Sequence, residues 1–164
     1  MKGKIMNTKN LLNCASRLGI AIAASCLIVS GCVYEVPITA KPTRPIDARL
    51  LGNWTSPDGK DKLKVVKLDD SHYIVSKNGD LFRVYHSDVA NTPLVTVQIL
   101  DSDKPTYSYY TWNLSDDGTL HVRMVNDKII PDDTKSSSRV QKLLKKNLQN
   151  LTLFGEEGLM TKDK

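Results

Sequence analysis

From residue 50 onward, turn-forming residues punctuate this chain about every ten positions, a spacing that leaves room for short antiparallel strands and little else. Ser56-Pro57-Asp58-Gly59, Leu68-Asp69-Asp70, Lys77-Asn78-Gly79-Asp80, Asp101-Ser102-Asp103 and Asp116-Asp117-Gly118 supply the Asn, Asp and Gly that hairpin turns use. The runs between them read as seven strands at 50–56, 62–68, 72–76, 81–87, 94–100, 106–114 and 119–126. Alternation gives each run an inner face. Val95, Val97 and Ile99 oppose Thr96 and Gln98, and Leu120, Val122 and Met124 oppose His121 and Arg123. Such one-sided patterning suits an antiparallel sheet curled so that one face is dry. A mainly β domain over 50–164 is therefore expected, a small barrel of seven or eight strands.

After Pro131 the period changes from two to that of a helix. Ser136, Ser137 and Ser138 offer N-caps. Val140, Leu143, Leu144, Leu148 and Leu151 recur at helical spacing, while Lys142, Lys145 and Lys146 face elsewhere. One amphipathic C-terminal helix is expected to pack on the barrel or close its end, and 158–162 offers a short eighth strand.

The first 31 residues have a different composition. Residues 1–17 are basic and polar, and 18–29 read LGIAIAASCLIV without a charge, an n-region followed by an h-region of signal-peptide length. Translation starts at Met1 or Met6. Val29-Ser30-Gly31-Cys32 closes the segment. This resembles the bacterial lipobox, in which an aliphatic residue and two small ones precede a cysteine. The resemblance implies cleavage between Gly31 and Cys32, a diacylglyceryl group on the Cys32 thiol and an acyl chain on the new amino terminus. Two or more acyl chains give stable anchoring where one is marginal. In lipoproteins of this kind an Asp after the cysteine retains the chain in the inner membrane. Val33 therefore implies the outer membrane, periplasmic side, in a Gram-negative host.

Removing the leader changes the charge balance. Four of the 23 Lys and Arg residues precede Cys32 and none of the 18 Asp and Glu does, so 19 cations face 18 anions in the mature chain. Nucleic acid, which is held chiefly through phosphate neutralisation, is excluded as an expected partner. Cys14 and Cys26 leave with the leader, so no intrachain disulfide is expected. Pro37, Pro42 and Pro45 then keep residues 32–49 out of helix and central strand, and the segment reads as an extended tether between lipid and barrel.

Leu50-Leu51-Gly52-Asn53-Trp54 is similar to the Gly-x-Trp signature that opens the first strand of lipocalin-like barrels. The similarity covers the layout of the domain and, in identity, Gly52 and Trp54. It implies that Trp54 plugs the closed end of the barrel beneath a basic side chain near the last strand, with Arg123 as the candidate.

Chemistry is sparse. His72, His86 and His121 sit singly on different strands, the aspartates fall mostly in turns, and no phosphate loop, nucleophile elbow or zinc spacing is present. No catalytic residue, metal ligand or cofactor is expected. The least ordinary stretch runs from Thr106 to Asn113, where Tyr107 and Tyr109 share one face of a strand and Tyr110 and Trp112 the other. One pair fills the core; the other is presented outward, as a candidate binding face or as cross-strand packing. Two functions stay open. In one, a non-enzymatic envelope lipoprotein binds a small apolar ligand or a protein partner. In the other, a structural or assembly lipoprotein carries a packed barrel.

Overall fold

The computed structural model describes residues 33–164. Residues 1–32, on which the expected signal peptide, the cleavage site at Gly31 and the acylated Cys32 fall, lie outside the described residues. Eight antiparallel strands close into one barrel in chain order: β1 (Gly52–Thr55), β2 (Lys62–Lys67), β3 (Tyr73–Lys77), β4 (Asp80–His86), β5 (Val95–Ile99), β6 (Thr106–Leu114), β7 (Thr119–Val125) and β8 (Phe154–Lys162). The seven expected strands are all present within a residue or two. Their turns follow the expected chemistry. Lys77 pairs with Asp80 across two residues, Asn78 and Gly79, both at positive φ, the form whose twist matches the flanking strands.

The eighth strand is longer than 158–162. It runs nine residues and seals the barrel by pairing with β7 along its length and with β1 at only two positions, Trp54 with Lys162 and Thr55 with Thr161. Helix α1 (Ser137–Asn147) lies between β7 and β8 instead of ending the domain. Ser136 is its N-cap, accepting from the Arg139 amide, and Val140 and Leu144 are its buried residues. Leu151, expected on the apolar stripe, lies past the helix and is 95% exposed.

Register fixes the width of the barrel. Carried from Trp54 across all eight ladders, the pairing returns to β1 about 12 residues from its start. At roughly 3.3 Å per residue and 4.8 Å between strands, that stagger tilts the strands by about 45°. The interior of such an eight-stranded barrel either fills with side chains or holds one small ligand. Inside lie Leu50, Trp54, Leu63, Val65, Tyr73, Val75, Phe82, Val84, Val95, Tyr110, Leu120 and Met160.

A second core sits outside the barrel wall and corrects the tether. Residues 33–49 are not a free spacer. Tyr34 is 3% exposed and Ile38 fully buried, both packed with Tyr109, Val125, Ile130, Val140 and Leu144. The prolines do exclude helix and regular strand. They leave amide and carbonyl groups that the wall satisfies: Tyr34 exchanges two 2.8 Å backbone bonds with Tyr107, Tyr85 donates to the Thr39 carbonyl, and Gln141 of α1 donates to that of Ile38. Two apolar side chains in reach of an uncovered apolar wall outweigh the tendency of a Pro-containing segment to stay extended, since burial of each is worth about 1.5–3 kcal/mol.

Candidate functional site

The barrel interior is the candidate site. The end where β1 begins is plugged by a 3-10 turn (Ala48–Leu50) and by Trp54, which is 1% exposed and donates its indole N–H to the Leu50 carbonyl at 2.9 Å. The basic side chain over this ring is Lys162, with Nζ 5.6 Å from the ring centroid, not Arg123. Pairing explains the correction. Lys162 stands directly opposite Trp54, whereas Arg123 pairs with Glu157, reaches the Phe154 and Gly155 carbonyls, and lies over the Phe154 ring at 5.4 Å. Gly52 is required beneath it. Its φ is +134°, and a β-carbon there would stand 2.7 Å from Lys162 Cε, in the path by which Nζ reaches the Arg49 carbonyl.

Beyond the plug the interior holds a cavity of about 50 Å³. Leu63, Val65, Val75, Phe82, Val84 and Val95 form one part of its lining, and Val97, Tyr110, Trp112, Leu120 and Val122 the rest. The lining is apolar, and Val97, Trp112 and Val122 remain half-buried. At about 30 Å³ per water molecule, the space matches roughly two such groups. It is well below the ~300 Å³ at which pockets for drug-sized ligands begin. At the other end of the strands Lys77 and Asp61 form a buried ion pair at 2.9 Å.

The aromatic strand presents no open binding face. Tyr110 and Trp112 point inward. Tyr109 points outward but is 1% exposed, because Tyr34 stacks on it at 4.5 Å with planes 4° apart, and its hydroxyl donates to the Val36 carbonyl. Tyr107 is half-buried beside the same segment. Neither pair forms an open aromatic surface; the chain covers one set and encloses the other.

A cluster that sequence reasoning passed over abuts the cavity. Tyr73, His86 and Trp112 meet edge to face with centroids 5.3–5.7 Å apart. The Asp47 amide donates to the Tyr73 hydroxyl at 2.5 Å, and that hydroxyl is hydrogen-bonded with His86 Nε2 at 3.0 Å. His86 Nδ1 and Trp112 Nε1 are buried with no hydrogen-bond partner. Burial, reinforced by Arg44, pulls the His86 pKa down to about 4, so the ring is neutral. The inward position of His86 was legible in its alternation with Phe82 and Val84. Its companions were not, because they come from other strands. His72 and His121 lie apart, against Asp69 and Glu157.

Among the described residues no group of three His, Cys, Asp or Glu side chains is placed to hold a metal, and no helix is long and apolar enough to cross a membrane. No family model, curated protein or solved structure matches the chain.

Proposed function

We propose that this is a lipid-anchored lipoprotein of the bacterial cell envelope, cleaved after Gly31 and acylated at Cys32, whose barrel binds a slim apolar molecule without catalysis. The observation that carries the binding reading is the uniformly apolar wall of the cavity inside the barrel. The plug supports the same plan. Gly52, Trp54 and a last-strand cation, Lys162, stand in the relation that the lipocalin resemblance implies. A protein partner finds less support, since the aromatic face proposed for it is occupied by the protein's own residues 34–38.

The small cavity favours a second reading, a structural lipoprotein with a packed barrel. Dodecanoate distinguishes the two, because a ligand-binding barrel must open around it and a packed one excludes it. The anchor is tested separately. Cys32→Ser is expected to abolish metabolic labelling with palmitate, while Cys14→Ser and Cys26→Ser leave it intact. Label retained in Cys32→Ser removes the lipoprotein assignment.

A further inference from the structure

The docking of residues 34–38 has a consequence for how the domain meets the membrane. Only Val33 separates Cys32 from Tyr34, whose backbone is paired in both directions with β6 and whose ring is stacked on Tyr109. Consecutive α-carbons are about 3.8 Å apart, so an acyl anchor on Cys32 would have no more than about 8 Å of backbone between it and Tyr34. We infer that the domain has no spacer and sits directly on the bilayer, with the wall around Tyr34 and the start of β6 toward the lipid. The inference rests on acylation of Cys32.

Several contacts hold the seat. Ile38 is fully buried, Thr39 donates to Ser87, Ser137 of α1 donates to the Pro37 carbonyl, and Glu35 pairs with Lys135 at 2.5 Å. Releasing the segment therefore exposes the outer core and breaks several hydrogen bonds at once. Electrostatics contribute no net attraction. Lys104 and Lys135 on the neighbouring loops are offset by Asp103, Asp132 and Asp133, so the covalent anchor sets the orientation and salt should not reverse it. Val33 and Leu100, 51% and 42% exposed, offer apolar side chains at this end of β6 and at the turn leading into it. β2 lies four strands away round the barrel, on the opposite wall.

The test uses the full acylated protein extracted from membranes and reconstituted into vesicles of phosphatidylethanolamine and phosphatidylglycerol carrying a rhodamine-labelled headgroup. With Cys32 acylated, the mature chain has no free thiol, so a donor dye can be placed at Lys104→Cys beside the anchor or at Lys64→Cys on β2. Energy transfer to the headgroups is expected to be higher from 104 than from 64. Twelve Gly and Ser residues inserted between Val33 and Tyr34 leave the docked contacts intact and give a reach of about 20 Å; the difference between the two positions should then vanish. Equal transfer in the uninserted protein, or a difference that survives the insertion, overturns the inference. A chain that carries no acyl group will not float with the vesicles, and that outcome removes the anchor proposal together with this one. A floating chain with equal transfer removes only this one.

Discussion

Trp54→Ala is expected to cost about 3–5 kcal/mol, a large share of the 5–15 kcal/mol that a domain usually has. Three losses coincide at this position. The indole is 1% exposed, so truncation opens a void at the closed end of the barrel. Its N–H holds the Leu50 carbonyl, and with it the Ala48–Leu50 turn that covers that end. Its ring also seats Lys162 at the seam between β1 and β8, which has only two paired positions, and a cation there contributes about 0.5–2 kcal/mol. Trp112 is half-buried, borders an existing cavity and has no partner for its N–H. Trp112→Ala should therefore be the milder change in urea midpoint. A larger shift for Trp112→Ala than for Trp54→Ala would mean that the closed end is not where the barrel is held together.

Acid should weaken the fold through His86. The ring has a pKa near 6.5 in the unfolded chain and about 4 in the folded one, so between these values the unfolded state binds a proton that the folded state refuses. Stability is fully present above pH 6.5 and falls as pH drops towards 4, by about 3 kcal/mol over the window. Burial is the main cause. Arg44 acts in the same direction, and Asp88 and Asp47 oppose it. Asp69 and Asp117 are held down to about 2 by local hydrogen bonds, so the stability they contribute is lost below the window, not within it. Urea midpoints measured at half-unit steps from pH 7.5 to 4 test this. The wild type should slope across the window, and His86→Phe, which removes the titrating ring, should flatten the slope whatever its absolute stability. Parallel slopes for the two proteins would assign the acid response to other groups.

The parts of the fold legible in the sequence are those governed by nearest neighbours along the chain. Asn78-Gly79 and Asp117-Gly118 mark turns because positive φ is a local requirement, and Val95, Val97 and Ile99 reveal an inner face because strand period is local. β8 was hard to see because its inward positions include Gly158, which has no side chain to alternate, and because the register slips between Arg123 and Val125. The partner of Trp54 depended on which residue of β8 stands opposite β1, a consequence of barrel stagger that no local pattern encodes. Tyr34 and Ile38 were read as tether because three prolines define what a segment cannot form, and say nothing of an apolar wall on which it can lie. The same wall accounts for Tyr109, whose sharing of a strand face with Tyr107 was legible, while which face turned outward and what covered it were not.

The cavity poses the sharpest question. At about 50 Å³ it requires wall side chains to move before a chain of methylenes can enter. Methyl resonances of the valines report this directly during titration with dodecanoate. Binding in the barrel predicts saturable shifts of Val65, Val75, Val84, Val95, Val97 and Val122, while Val36, Val66, Val89 and Val140 outside it stay in place. Resonances that do not move, or shifts confined to the outer valines, would contradict a ligand-binding interior and leave the packed, structural barrel.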